Sequence, residues 1–292
     1  MIIVIVGPTG VGKTKLSIEL AKKLNGEVIN ADSTIVYKHL DIATAKPTKE
    51  EMENIPHHLI DIKELNENYT VYDYQKDARE KINEIIKRGH VPIMVGGTGL
   101  YIKATLYDYQ FDETKTVNQY EDIDTNALYD KLIKLDSNTE IHPNNRKRII
   151  RALNYIEDTN KKFSEKERTD KLLYDTFIIG LTTDRKTLYE RIDSRVDKMF
   201  NDGLLEEAKK IYGLKLTSKA VMTPIGYKEL FPYFSGEITK QDAINKIKQN
   251  SRKYAKRQYT WFNHQLPVKW YDVDFQDFEK TINHIYSDIK KD

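Results

Sequence analysis

Cysteine is absent from the 292-residue chain, which excludes disulfides, thiolate nucleophiles and every zinc or iron–sulfur site built on cysteine. Long apolar runs are missing too, since none approaches the roughly 18 residues that cross a bilayer. The opening Met1-Ile-Ile-Val-Ile-Val6 is too short for a signal-peptide core and runs into Gly-Pro-Thr-Gly rather than a small-residue cleavage site. These absences predict a cytoplasmic chain with no membrane contact. Net charge is small, at +2, and there is no repeat or low-complexity linker. What is present is 39% apolar, 32% charged and 10% aromatic residues, a composition that folds around a core. Such a chain keeps only polar and phosphate chemistry.

The near-neutral sum hides segregation. Residues 51–80 and 112–140 each hold eight acids against three bases, whereas 145–172 holds nine bases against five acids. A second basic stretch carries Lys246, Lys248, Arg252, Lys253, Lys256 and Arg257 with no acid among them. Each basic stretch reads either as a solvated helix face or as a surface for an anionic partner.

Apolar periodicity sets the organisation. Ile2 to Val6 reads as a strand, and Leu16, Leu20 and Leu24 recur at helical spacing until Asn25-Gly26. Val28 to Ala31 is a second strand ending at Asp32. Ala78, Ile82, Ile85 and Ile86 mark a helix closed by Gly89, and Val91 to Val95 is a strand running into Gly96-Gly97. Strands alternating with helices imply a parallel sheet, because parallel neighbours need long crossovers. From 112 to 172 the strand signal disappears and helical patterns such as Ile149, Ile150, Leu153 and Ile156 take over. The expected fold is therefore α/β, a parallel sheet core over 1–111 and 173–292 interrupted by a helical insertion over 112–172. Phe177 to Leu181 returns as a buried strand, followed by a helix with Asp184 as N-cap and Leu188, Ile192, Val196 and Met199 on one face. The remainder reads as helical apart from a short apolar run at Val268 to Tyr271. His57-His58 reads as a turn or core feature with no metal or acid–base role.

The densest signal is Gly7, Pro8, Thr9, Gly10, Val11, Gly12, Lys13 and Thr14, which fits G-x-x-x-x-G-K-[ST] between a predicted strand and a predicted helix. Glycines let backbone amides converge on phosphate oxygens, the helix N-terminus adds partial positive charge, Lys13 a full charge, and Thr14 a hydroxyl for Mg²⁺. The core is thus P-loop NTPase-like, and the loop binds a di- or triphosphate. An ATP-hydrolysing machine needs a later strand ending in an acidic Mg²⁺ ligand, but Val91 to Val95 ends in Gly96-Gly97-Thr98-Gly99. A diphosphate leaving group suits the same cradle, because charge again builds on phosphate oxygens as it departs. Ligands in open α/β sheets bind beyond the carboxyl ends of the strands, so Asp32 and the Gly96–Gly99 turn share the rim with the loop. On these grounds Asp32 is a general base, a Mg²⁺ ligand or a helix N-cap, and Thr98 a turn residue or a functional one.

Seven ordered segments carry a resemblance: Gly7 to Thr14, Asn30 to Tyr37 leading to Asp41 to Pro47, Pro56 to Asp61, Gly96 to Tyr101, Ile141 to Asn145 with Arg148 and Arg151 to Leu153, Ile225 to Glu229, and Ser251 to Trp261. Over nearly its whole length the chain resembles the tRNA dimethylallyltransferases, also called tRNA isopentenyltransferases. The resemblance implies transfer of a dimethylallyl group from dimethylallyl diphosphate to N6 of the adenosine beside the anticodon, position 37, with release of pyrophosphate. It makes Asp32 the base for the adenine amine, with Thr98 beside it and Lys13 in the cradle. Arg195 and Arg252 are then candidates to clamp the diphosphate, unless each simply pairs with an acid on its own helix.

Contacts to the tRNA anticodon stem-loop are implied for four stretches. These are Asp32, Ser33, Thr34 and Ile35, with Thr98; Lys147, Arg148, Ile149, Ile150 and Arg151; Thr223, Pro224, Ile225, Gly226, Tyr227 and Lys228; and Lys256, Arg257, Gln258, Tyr259, Thr260, Trp261, Phe262 and Asn263. A stacked base cannot reach a rim pocket, so it must be extruded, at a cost that aromatic stacking and phosphate contacts offset. The family usually has glutamine at the position of Ile35 and often at that of Thr223, so base recognition here leans more on shape, stacking and other polar groups. An arginine found early in the family's insertion has no counterpart among Thr114 to Tyr120. A monomer is expected. The competing readings are prenyl transfer to a free adenine nucleotide, which would need no long basic surface, a P-loop small-molecule kinase, and an RNA-binding protein with a degenerate site.

Overall fold

The computed structural model describes residues 1–111, 120, 122–166 and 171–291. Thr114 to Gln119, where the family's early arginine would stand, lie outside the described residues. The chain runs β1 (Ile2–Val6), α1 (Lys13–Leu24), β2 (Gly26–Asn30), β3 (His57–His58), α2 (Val71–Lys87), β4 (Val91–Val95), α3 (Gly99–Leu106), α4 (Thr125–Leu135) and α5 (Arg146–Thr159). It continues as β5 (Thr176–Thr182), α6 (Arg185–Asn201), α7 (Leu204–Gly213), α8 (Lys219–Met222), α9 (Tyr227–Phe234), α10 (Lys240–Gln265), β6 (Lys269–Asp272) and α11 (Phe278–Ile289).

The strands form one sheet in the order β3-β2-β4-β1-β5-β6, with every pairing parallel. β1 is apolar at every position because both its faces are covered. Ile2, Val4 and Val6 belong to the core that α2, α3, α7, α9 and α10 share, while Ile3 and Ile5 belong to the one shared by α1 and α11. This is the expected doubly wound, P-loop NTPase-like α/β core. Asp184 caps α6 as expected, its carboxylate accepting from Thr187 N at 3.0 Å. β3 escapes pattern reading because two residues carry no period. The paired histidines form an edge strand against Val28 and Ile29. His58 Nε2 lies 2.6 Å from Glu27 Oε2, and the buried Glu27 also meets His90 at 2.6 Å and Arg88 at 3.0 and 2.7 Å. Arg88 above all holds the Glu27 carboxyl down to about 2.

The chain divides into two compact units, Met1–Tyr107 with Leu172–Asp292, and Asp108–Lys171. The first unit closes where α3 ends, through an antiparallel bridge between Tyr107 and Leu172. The second unit is built on α4 and α5, capped by Asp124 and Asn145 side chains. Leu128, Leu132, Ile149, Ala152 and Leu153 form its core. The Ile149 side chain thus packs in this core, whereas Lys147, Arg148 and Arg151 are exposed and Ile150 is half-buried. Arg146, in the same basic run, donates to Ile123 O, Thr125 Oγ1 and Tyr120 O and ties α5 to the segment before α4. Among the described residues no helix is long and apolar enough to cross a membrane.

Candidate active site

The phosphate loop joins β1 to α1. Gly12 sits at φ 93°, and a Cβ there would stand 2.8 Å from the Phe278 ring, so only glycine hands the chain over to Lys13. Lys13 Nζ donates to Gly7 O at 2.9 Å and Pro8 O at 2.8 Å, folding back over the loop. Burial pushes its pKa down to about 8, Arg195 adds to the fall and Asp32 opposes it. From α6, Arg195 donates to Thr9 Oγ1 at 2.5 Å and Arg191 to Gly10 O at 2.9 Å. Two guanidinium groups therefore flank a loop that already gathers amides at a helix N-terminus, and an anion is the complementary ligand. Thr14 lines the same cleft, and among the described residues no hydrogen bond engages its hydroxyl. Val11 is fully buried under α1 and contributes packing rather than a cleft wall.

Asp32 stands just beyond the end of β2. Its Oδ1 accepts from Thr34 N at 2.9 Å and Thr34 Oγ1 at 2.7 Å. The side chain of Asn30 brackets its backbone, accepting from Asp32 N at 2.9 Å and donating to Asp32 O at 3.0 Å. Thr98 occupies the N-cap position of α3 at the end of the rim turn without a side-chain cap bond, and its hydroxyl is engaged with Ser33 instead, accepting from Ser33 N at 3.0 Å and donating to Ser33 Oγ at 3.2 Å. Thr98 thus supports the segment that carries Asp32.

Helix α10 lies across this rim. Gln258 Oε1 accepts from Thr9 N at 3.1 Å, while its Nε2 donates to Gly97 O at 3.1 Å. One buried amide thereby bridges the phosphate loop and the rim turn. The fit leaves no room for side chains: a Cβ on Gly97 would stand 2.1 Å from Gln258 Nε2, and one on Gly99 2.1 Å from the Trp261 ring. Gln258, Trp261 and Phe262 therefore face inward, with Phe262 in the core. Lys253, Lys256, Arg257, Thr260 and Asn263 are exposed, and Tyr259 rests on Trp270 with ring centroids 4.9 Å apart.

A cleft of about 1130 Å³ unites these parts. It is lined by Thr9, Gly10, Gly12, Lys13 and Thr14, by Asp32 to Ile35, by Thr223, Pro224, Ile225 and Lys228, and by Arg195, Arg257 and Gln258. Several residues expected at the site are elsewhere. Arg252 is outside the lining and is bound to Asp193 of α6 at 2.5 and 2.7 Å, a partner on another helix rather than its own. Tyr227 is buried and donates to Glu207 at 2.7 Å, and Gly226 packs where a Cβ would meet Ala43 at 2.8 Å. The side chains of Ile149, Tyr227 and Phe262 are buried in packing, whereas Gln258, though buried, lines the cleft.

Sequence reading missed two residues of the site. Asn30 reads as a strand residue and as the start of a segment of the resemblance, with no role at the site. Tyr254 lines the cleft, where burial above all, and Asp32 after it, push its hydroxyl pKa up. The spacing Ser251, Tyr254, Ala255, Gln258 and Phe262 carries the signal, since it is the inward stripe of a helix.

Residues 35–265 match the family model described as IPP transferase. The tRNA dimethylallyltransferase of Anoxybacillus flavithermus is 50% identical over 97% of this chain and 94% of its own length. That of Bacillus subtilis is 48% identical over 93% and 90%. The crystal structure of a Staphylococcus epidermidis tRNA delta(2)-isopentenylpyrophosphate transferase superposes with a TM-score of 0.76 at 42% identity, covering 100% of this chain and 99% of that one. A eukaryotic dimethylallyltransferase acting on tRNA superposes at 0.84 with 33% identity, over 98% of this chain and 77% of that one. With this breadth of match in sequence and fold, the chain belongs to the IPP transferase family, the tRNA dimethylallyltransferases.

Proposed function

We propose that the protein transfers a dimethylallyl group from dimethylallyl diphosphate to N6 of adenosine 37, beside the tRNA anticodon, releasing pyrophosphate. The observation that carries this reading is one rim on which Asp32 faces the same cleft as Lys13, Thr9 and Arg195. The loop amides, Lys13 and Arg195 hold the diphosphate and take up the charge that gathers on it as the allylic C–O bond breaks. Asp32 removes the proton from the adenine amine, an assistance typically worth ~10²–10⁴-fold. Thr98 and Asn30 keep the Asp32 segment in place. Arg252, paired with Asp193, supports α10 against α6 rather than clamping the leaving group.

Mg²⁺ suits this donor set, because it binds through few protein oxygens and completes its shell with water and substrate phosphates. Thr14, with its uncommitted hydroxyl in the cleft, would hold it, and the ion would neutralise charge on the departing diphosphate. The exposed cations Lys147, Arg148 and Arg151 of α5 and Lys256 and Arg257 of α10 supply phosphate contacts to the anticodon stem-loop. The protein acts as a cytoplasmic monomer.

Labelled dimethylallyl diphosphate and unmodified tRNA test the reading. The parent should label tRNA, with and without added Mg²⁺ as the second variable. Asp32→Ala should lower transfer by at least ~10²-fold with diphosphate binding within a few-fold of the parent. Near-normal turnover in that variant, or ATP consumption without RNA, would remove the proposal.

A further inference from the structure

We propose that Thr34 is a positioning residue for proton transfer, fastening Asp32 Oδ1 so that Oδ2 is the atom that takes the proton from the adenine amine. The inference rests on Asp32 acting as the base. A carboxylate on a flexible rim segment can turn about its last bond and offer either oxygen. Here one residue places two donors on a single oxygen, Thr34 N at 2.9 Å and Thr34 Oγ1 at 2.7 Å. Hydrogen bonds to an ionised acceptor are about twice as strong as neutral ones, so the pair resists rotation.

The mounting beneath is equally constrained. Asn30 is buried and reaches Asp32 N, Asp32 O and Leu59 O at 2.9, 3.0 and 2.9 Å. Tyr74, fully buried, donates to Asn30 O at 2.8 Å. Oδ2 points toward the rim turn, 3.5 Å from where a Cβ on Gly97 would lie, and among the described residues no hydrogen bond engages it. The Thr34 hydroxyl proton is already given to Asp32, so this side chain serves the base rather than the RNA that the 32–35 segment is expected to touch.

In the step itself the N6 lone pair forms a bond to C1 of the dimethylallyl group. The C1–O bond breaks with its electron pair going to the diphosphate oxygen, and the N6 proton passes to Oδ2. Reaction geometry of this kind is sensitive to sub-ångström misplacement of the base.

The experiment compares kcat and KM for both substrates in the full chain carrying Thr34→Val, Thr34→Ser, Thr34→Ala or Asp32→Asn. Valine keeps the shape and the backbone amide and removes only the hydroxyl; serine restores it. Thr34→Val and Thr34→Ala should lose about tenfold in kcat, with both KM values within about twofold of the parent. Thr34→Ser should stay within about twofold of the parent throughout. Parental kcat in Thr34→Val overturns the proposal, as does a loss confined to the KM for tRNA, or a Thr34→Ser variant as slow as Thr34→Val. Near-normal transfer by Asp32→Asn would instead remove the base itself. An inactive Asp32→Asn beside a normal Thr34→Val would remove only the role of Thr34.

Discussion

Gln258 is the residue whose loss should report most sharply on how the cleft is assembled. Its side chain satisfies two groups of different segments, the Thr9 amide and the Gly97 carbonyl, both at 3.1 Å. Gln258→Ala leaves the part-buried Thr9 amide and the buried Gly97 carbonyl without partners, at about 1–3 kcal/mol for each. The sum, about 2–6 kcal/mol, lowers Tm by roughly 3–10 °C in a chain of 292 residues. The same change frees Thr9, which also receives Arg195, so the phosphate loop loses one of its fixed donors. The KM for dimethylallyl diphosphate should rise about tenfold, while the KM for tRNA stays near the parental value. Gln258→Glu keeps the acceptor for Thr9 N, loses the donor to Gly97 and adds a negative charge beside the diphosphate, so its KM for that substrate should rise further. Thermal denaturation and steady-state transfer assays read all of these quantities. An unchanged Tm and an unchanged diphosphate KM, with a raised KM for tRNA, would show that Gln258 meets RNA instead of the loop.

Lys13 sits at about 8, so raising the pH through that value strips the charge from the cradle; affinity for dimethylallyl diphosphate should fall by up to about tenfold per pH unit above it. Equilibrium binding measures this, and Lys13→Arg, charged throughout, should flatten the decline. If Lys147, Arg148, Arg151, Lys256 and Arg257 all meet phosphates, tRNA affinity should drop about 10²-fold between about 50 and 200 mM salt; a flat response would take these residues out of the interface. Glu27→Gln should cost about 1–2 kcal/mol of stability, discounted because the Arg88 side chain is 44% exposed, and should leave both KM values unchanged. In the parent that contribution is complete above pH 4.5 and is lost as pH falls toward about 2, so acid unfolding curves of the two proteins should converge there.

Much of the fold is legible along the chain because burial on both faces writes an unbroken apolar run. β1, β4 and β5 announce themselves in this way, and α6 declares its start with Asp184. β3 is silent: two histidines have no period, and their place depends on Glu27, Arg88 and His90 arriving from other segments. In the site, the phosphate loop is local by nature, since eight consecutive residues supply both the turn and the charge. Asp32 is legible for a related reason, as an acid at a strand end must stand on the rim that carries the loop.

What the chain order could not decide is the direction in which α10 faces. Composition makes Arg252 to Trp261 a basic, aromatic surface for RNA, yet helical phase turns Tyr254, Gln258 and Phe262 inward and leaves Lys253, Lys256 and Arg257 outside. Arg252 answers to Asp193 on α6, a partner 59 residues away. Gln258 answers to Thr9, 249 residues away. A side chain is assigned to a ligand or to the protein itself by which partner comes within about 3 Å, and for residues so far apart in sequence only the packing of α10 over the sheet settles that distance.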